Sequence, residues 1–298
     1  MHTDPDRELV NFQNIARRLK PHSGDISSIE GIEIYGESTF LNGEFGGDHI
    51  TYIDFERRFN MDTRIKQALE EGNVQVAERL RETRSKVGIM LADAAGHSIT
   101  DAFLTAMLHQ AFLIGASYEL MLYGEVTLNL FEKINTRFYH SSSIDKFITM
   151  IYGEIDRRGA FRFISAAHPL PVVFSSRFDR IMELDEERMV TFLPVGTLPS
   201  VADIDFRKES GPHGFKPGYS TNQIDIMGAG DILLIFTDGF TEGDSGERNY
   251  VDERLESMLR QVKDLDARSI YERVRDDYID LVPEPDDDVT FVVIKKVM

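Results

Sequence analysis

The chain contains no cysteine. That excludes disulfides and any cysteine nucleophile, and it fits a reducing compartment, so a cytoplasmic location is expected. Basic residues are also scarce. Lys and Arg number 33 against 51 Asp and Glu in 298 residues, a balance of −18. Such a surface repels nucleic acid and anionic membranes, and suits cations or a protein partner with a basic face. Long apolar runs are missing too. The longest apolar region, Ala102 to Tyr123, is interrupted by His109, Gln110 and Glu119, so it reads as a buried helix and not a membrane span. No Arg- or Lys-led apolar segment opens the sequence, and no signal peptide is expected. There is no Gly-Lys-Ser/Thr phosphate loop, which excludes a P-loop nucleotidase.

What is present is a set of core strands that end in acids. Asp231 to Phe236 leads through an Ile- and Leu-rich run into Thr237-Asp238-Gly239. The run reads as a buried strand and Asp-Gly as its tight turn. Val87 to Ala92 is a second such strand, with Asp93-Ala94-Ala95-Gly96-His97 as its exit loop. Gly46-Gly47-Asp48 leads into a strand from His49 to Phe55, and Asp286-Asp287-Asp288 leads into Val289 to Val293. Taken singly, each acid is more often a turn residue than a ligand. As a set, carboxylates at strand ends can converge on one point. Oxygen-only donors suit Mg²⁺ or Mn²⁺, and two such ions can activate water for in-line attack on phosphorus.

Around these strands the periodicity predicts helices. One spans residues 7–20, with Leu9, Phe12, Ile15, Ala16 and Leu19 on one face. It packs either on the main domain or on a second copy of the chain. A charged helical stretch from Asp62 to Ser85 has a sparse apolar face of Ile65, Leu69, Val76 and Leu80, and Gly72-Asn73 divides it into a hairpin. It reads as a solvated insertion or, more sharply, as a weakly docked regulatory flap. Ser98-Ile99-Thr100-Asp101 matches a capping box opening a buried helix, and a further helix covers about Glu125 to Tyr139. Phe147 to Ile155 and Phe161 to Ser165 form a hairpin, and Pro171 to Phe174 another strand. Residues 194–220 are rich in Pro and Gly and are expected to border the site. Gln223 to Met227 is a strand; Val251 to Val262 and Arg268 to Leu281 are helices.

The order Gly46-Gly47-Asp48, Ala92-Asp93-Ala94-Ala95-Gly96-His97, Ala167-His168-Pro169, Thr237-Asp238-Gly239-Phe240-Thr241-Glu242 and Asp287-Asp288-Val289-Thr290 resembles the SpoIIE/RsbU-type branch of the PP2C-like serine/threonine phosphatases. The resemblance runs from about Gly31 to the C-terminus, and the helix before it resembles that family's linker helix. It implies an α+β fold, a four-layer αββα sandwich of two antiparallel sheets flanked by helices. Residues 1–30 would then be a linker or regulatory segment that can pair two copies, and residues 31–298 the phosphatase domain, with a helical insertion at about 56–86. The resemblance further implies two or more Mn²⁺ or Mg²⁺ ions, held by Asp48, Asp93, the Ala94 carbonyl, Asp238 and Asp287, with Asp287 taken over its neighbours as the first acid of Asp-Asp-x-Thr. The implied substrate is a phosphoserine or phosphothreonine protein, typically a small anti-sigma-factor antagonist in bacterial partner switching. The sequence departs from the family at His49-Ile50, which replaces an aromatic-Asp pair, with Tyr52 and Asp54 further on. It departs again at Ser98 and Ala167, each standing where Gly is common. His168 reads as a structural or supporting residue, and His97 as either a bystander or a group orienting a carboxylate or water.

Rival readings are weaker. Gly46-Gly47-Asp48 is shared with the diguanylate cyclase signature, but His49-Ile50 replaces its Glu-Phe. A dehalogenase-type phosphatase would use Asp203-Ile204-Asp205, and no apolar strand leads into that pair. The remaining alternative is a PP2C-like module that binds its partner without hydrolysis, and the full set of carboxylates argues against it.

Overall fold

The computed structural model describes residues 29–41, 46–96, 98–141, 146–204, 214–225, 228–241 and 249–297, with positions 7, 10, 11, 14, 15 and 18 of the N-terminal helix. The rest of the helix expected over 7–20, His97 and Glu242 lie outside the described residues.

Eleven strands occur among the described residues. In chain order they are β1 (Ile32–Thr39), β2 (His49–Asp54), β3 (Lys86–Ala94), β4 (Ile148–Asp156), β5 (Phe161–Ala166), β6 (Val172–Ser175), β7 (Arg180–Met182), β8 (Thr191–Phe192), β9 (Asn222–Ile224), β10 (Ile232–Phe236) and β11 (Val289–Lys296). They form two sheets. The first has the order β1-β11-β10-β6-β7, and the second β2-β3-β4-β5-β8, with β9 also paired to β5. Pairing is antiparallel except at the short β8, which runs parallel to β5. The first and last strands of the domain are neighbours over their whole length, from Ile32 opposite Lys296 to Thr39 opposite Val289.

Side chains alternate across a strand, and here both faces of each sheet are apolar. Ile34, Ile50, Tyr52, Ile89, Leu91, Ile151, Leu233, Ile235 and Val292 point between the sheets and form the central core. Met90, Ala92, Met150, Tyr152 and Ile164 point the other way, into a second core with helices. Ile232, Leu234, Phe236, Phe291 and Val293 do the same on the opposite side. Three stacked cores make four layers, the αββα sandwich expected from the resemblance.

On the β3 side lie α1 (Met61–Glu70), α2 (Val74–Thr83), α3 (Ile99–Tyr123) and α4 (Leu128–Ser141); on the β11 side lie α5 (Glu256–Val262) and α6 (Ala267–Leu281). Two expectations need correction. The insertion is a helical hairpin, but it is not weakly docked. Met61, Ile65, Ala68, Ala77 and Leu80 are buried in the helix-side core. Thr83 donates to the Gly124 carbonyl and Arg64 to Ser117, while Arg84 bridges Glu56 and Asp62. Leu69, taken for the apolar face, is exposed; small alanines, invisible to a search for large apolar side chains, make the contact instead. The second correction concerns α3, which is only half buried. Leu108, Phe112, Ala116 and Leu120 face the core, but Phe103, Ile114, Tyr118, Met121 and Leu122 are exposed. By length and composition α3 could cross a membrane. It lies instead along the second sheet, with Glu119 buried and accepting from Thr127.

Ala167 sits in the left-handed region, at φ 53°, where glycine stands in the family pattern. An L-residue pays roughly 1–2 kcal/mol there, against about 0.5–1 kcal/mol that glycine forfeits through the unfolded chain. Ala167→Gly should therefore raise stability by up to about 1 kcal/mol, read as a higher urea midpoint at unchanged slope. A lowered midpoint would show that the turn is not strained.

Candidate metal centre

The strand pattern decides where the acids go. In β2, Ile50 and Tyr52 point between the sheets, so two residues earlier Asp48 does as well. In β3, Val87, Ile89 and Leu91 share that face, and Asp93 follows in step. His49 stands opposite Ala92, which sets Asp48 and Asp93 side by side at one end of the second sheet. In the first sheet Phe236 stands opposite Phe291, and Thr237 donates its backbone N–H to the Thr290 carbonyl. Asp238 therefore leaves β10 at the same end at which Asp287 and Asp288 enter β11. Asp48 is buried, Asp93, Asp238 and Asp287 are half-buried, and Ala94 is buried as the last residue of β3.

The turn carrying Asp48 is tightly held. Asp288 is buried and accepts from the Leu41 N–H at 2.8 Å and the Gly47 N–H at 2.7 Å. The Thr237 hydroxyl donates to Asp48 Oδ2 at 2.8 Å. A Cβ on Gly46 would run into the Asp288 carboxylate. One on Gly47 would lie 2.6 Å from the Ala94 carbonyl and 3.4 Å from Asp93 Oδ1. Only glycines let the Asp48 turn and the Asp93 loop approach this closely. The Tyr278 hydroxyl donates to the Gly239 carbonyl at 2.8 Å and so anchors the Asp238 turn. A cleft of about 220 Å³ opens beside Asp48, lined by Ser38, Phe40 and His49 among others.

Crowding of like charge is the electrostatic signature of the place. Burial, reinforced by Asp238, Asp287 and Asp288, pushes the Asp93 carboxyl up to about 8. Burial and the neighbouring Asp93 hold Asp48 well above the usual carboxylate range, and burial raises Asp288 as well. Among the described residues no three of these side chains close on a single point. An all-oxygen donor set is what a hydrated hard cation fits, since Mg²⁺ keeps several waters and takes one or two carboxylates directly. The donor chemistry and the glycine cradle are consistent with divalent ions.

The histidines do other work. His168 is buried with Nδ1 3.0 Å from the Thr149 hydroxyl. Burial pushes it down to about 3, so it is a neutral core residue. His49 points away from the gap into the helix layer, 2.8 Å from His109. Asp54 caps the turn Phe55–Arg58 by accepting from the Arg57 N–H.

The profile of the family described as Stage II sporulation protein E (SpoIIE) matches residues 83–297, well over half of the chain. The chain belongs to the SpoIIE family. Comparison with curated proteins gives no match. Among solved structures, the SiaA PP2C domain of Pseudomonas aeruginosa is similar at a TM-score of 0.64 and 15% identity, over 99% of both chains. A Mycobacterium tuberculosis structure of RsbU and RsbW domains matches at 0.60 and 17%, over 90% of this chain and 61% of the other. A Bacillus subtilis SpoIIE structure, its PP2C phosphatase domain with a fragment of the regulatory domain, matches at 0.60 and 14%, over 90% and 64%. The chain thus spans less than two thirds of the last two. This SpoIIE-family chain has the fold of those PP2C domains.

Sequence reasoning quoted Thr237, Thr290 and Asp288 in its motifs but missed their supporting roles. Thr237 and Thr290 could have been found by carrying the inward alternation one step past each apolar run. Asp288 could not, because its partners at 41 and 47 are some 240 positions away. The two acids have different partners: Asp288 accepts from the Leu41 and Gly47 N–H groups, and Asp287 Oδ1 accepts from the Asp288 N–H at 2.7 Å. Asp288→Ala orphans two N–H groups, each worth roughly 1–3 kcal/mol when buried, and relieves some repulsion. A net loss of about 2 kcal/mol is expected from urea unfolding. A change below about 0.5 kcal/mol would mean that the Gly46–Asp48 turn holds itself.

Proposed function

We propose that this chain hydrolyses phosphoserine or phosphothreonine on a protein partner, with Asp48, Asp93, the Ala94 carbonyl, Asp238 and Asp287 holding two Mn²⁺ or Mg²⁺ ions. The observation that carries this reading is the alternation that delivers acids from both sheets to one end of the inter-sheet gap. The substrate we infer is a small anti-sigma-factor antagonist; the similarity to a protein joining RsbU and RsbW domains supports a partner-switching setting. Bound divalent ions would supply an activated water and neutralise charge on the phosphoryl oxygens. The protein's own part is to position. Thr237 fixes the Asp48 carboxylate, Asp288 fixes the turn beneath it, and Tyr278 fixes the Asp238 turn.

Asp238→Asn should keep its far-UV circular dichroism and lose Mn²⁺-dependent phosphate release from phosphoproteins by orders of magnitude, because preorganised charge stabilisation is the main source of rate. Unchanged turnover in the folded variant would end the two-metal assignment. Mn²⁺ stabilisation without phosphate release from any phosphoprotein would favour the non-catalytic module.

A pH dependence follows from Asp93. Its carboxyl is raised to about 8 without cations, so above the ordinary carboxylate value the native state binds more protons than the unfolded chain. The metal-free protein therefore loses stability as pH climbs toward 8. Cations need the ionised carboxylates, so the rise in melting temperature at fixed Mn²⁺ should grow from pH 6 to pH 8. It should be small in Asp48→Asn and Asp93→Asn. A shift of the same size at both pH values in wild type would overturn the crowded-carboxylate reading.

A further inference from the structure

An ion pair between Lys146 and Asp101 stands beside the site. At the end of β3 the chain turns from Ala94 through Ala95 and Gly96. Ala95 is gripped at both ends of its residue by two adjacent positions of the chain. Its N–H donates to the Phe147 carbonyl at 3.0 Å, and its carbonyl accepts from Lys146 Nζ at 3.1 Å. The same ammonium lies 2.5 Å from Asp101 Oδ1. Asp101 is fully buried, and its other oxygen accepts from the Ser98 N–H at 2.9 Å and the Ser98 hydroxyl at 2.5 Å. Gly96 lies on the pair: a Cβ there would stand 2.8 Å from Asp101 Oδ2 and 3.4 Å from Lys146 Nζ. The network thus ties together the end of β3, the start of α3 and the entry to β4.

A helix cap with a salt bridge would account for Ser98 and Asp101. It does not account for the bond from Lys146 to Ala95, which serves the loop and not the helix. That loop follows directly on Asp93 and the Ala94 carbonyl, two of the five proposed ligands. The Ala94 N–H in turn reaches the Gly47 carbonyl at 3.3 Å, so a shift at Ala95 is passed to the Asp48 turn. Asp101 would otherwise be one more unbalanced carboxylate among those that crowd Asp93; Lys146 balances it.

We propose that Lys146 and Asp101 form a positioning strut for the metal-binding loop, fixing the backbone of Ala94–Gly96 so that Asp93 and the Ala94 carbonyl are held against the Asp48 turn. This rests on the metal site proposed above. Neither residue touches a substrate; they act through the loop, as partners behind metal ligands do.

The test is calorimetric titration of the whole chain with Mn²⁺, with melting temperatures recorded in chelator. Lys146→Met should weaken Mn²⁺ binding about tenfold or more. Its sign is diagnostic, because the variant leaves Asp101 unbalanced, and charge alone would tighten cation binding. Lys146→Gln removes the same charge but keeps an N–H donor for the Ala95 carbonyl, so it should bind Mn²⁺ better than Lys146→Met. The Lys146→Met/Asp101→Asn double variant should be little worse than the weaker single, since both break one strut. Unchanged or tighter Mn²⁺ binding by folded Lys146→Met overturns the proposal, even if its metal-free melting temperature drops. Should Lys146→Met not fold, Lys146→Gln reads the same sign against wild type. Asp93→Asn keeps the two ideas apart. If it abolishes Mn²⁺ binding while Lys146→Met does not weaken it, the site stands and the strut falls. If wild type binds no Mn²⁺, the site reading fails and the strut falls with it.

Discussion

Mutual repulsion among carboxylates, confined at one end of the gap between two sheets, is the constraint to which the rest of the molecule answers. Asp48, Asp93, Asp238, Asp287 and Asp288 come from strands that lie far apart in the chain, and in water they would disperse. They stay together because three stacked apolar cores fix the strands that carry them. Burial of that size dwarfs the repulsion of a few acids at the rim. The cost is visible in the raised carboxyls of Asp48, Asp93 and Asp288. A functional centre is where such a local penalty is expected to be kept.

The rim is held by polar contacts that each do one task. Asp288 ties β11 to the glycine turn, Thr237 ties β10 to Asp48, and the Lys146–Asp101 pair ties β4 and α3 to the loop after β3. Together they join the two sheets and the helix layer at one end of the inter-sheet gap. None is a surface ion pair of negligible worth; each has a buried carboxylate at its centre. The helical insertion fits the same scheme. Because α1 and α2 are packed against α3, the connection between β2 and β3 is a rigid part of the layer that backs the site.

How much was legible differs from element to element. The apolar runs of β3, β10 and β11 were plain because a strand buried on both faces reads as an unbroken stretch of Ile, Leu and Val. Gly-Gly-Asp and Asp-Gly at their ends were plain because turns demand those residues. The α1–α2 hairpin was readable, but its docking was not, since Ala68 and Ala77 make contacts that hydrophobicity alone does not reveal. For α3 the composition suggested burial all round, yet one face is open; periodicity cannot tell a core face from an exposed apolar one when both are apolar.

The sequence by itself determined which residues could carry the chemistry: acids at strand ends, glycines beside them, and no cysteine, basic patch or phosphate loop to offer another route. Those are local properties, set by side-chain type and by the few residues on either side. Only the tertiary structure decided which of them meet. Asp287 and Asp288 are adjacent and chemically identical, and only the fold gave them different partners: the N–H groups of Leu41 and Gly47 reach Asp288, while Asp287 accepts from its neighbour's N–H. Lys146 and Asp101 likewise met only when β4 was laid beside β3. Long-range pairing, with its loop-closure entropy offset by the stacked cores, leaves no trace in the residues near either partner.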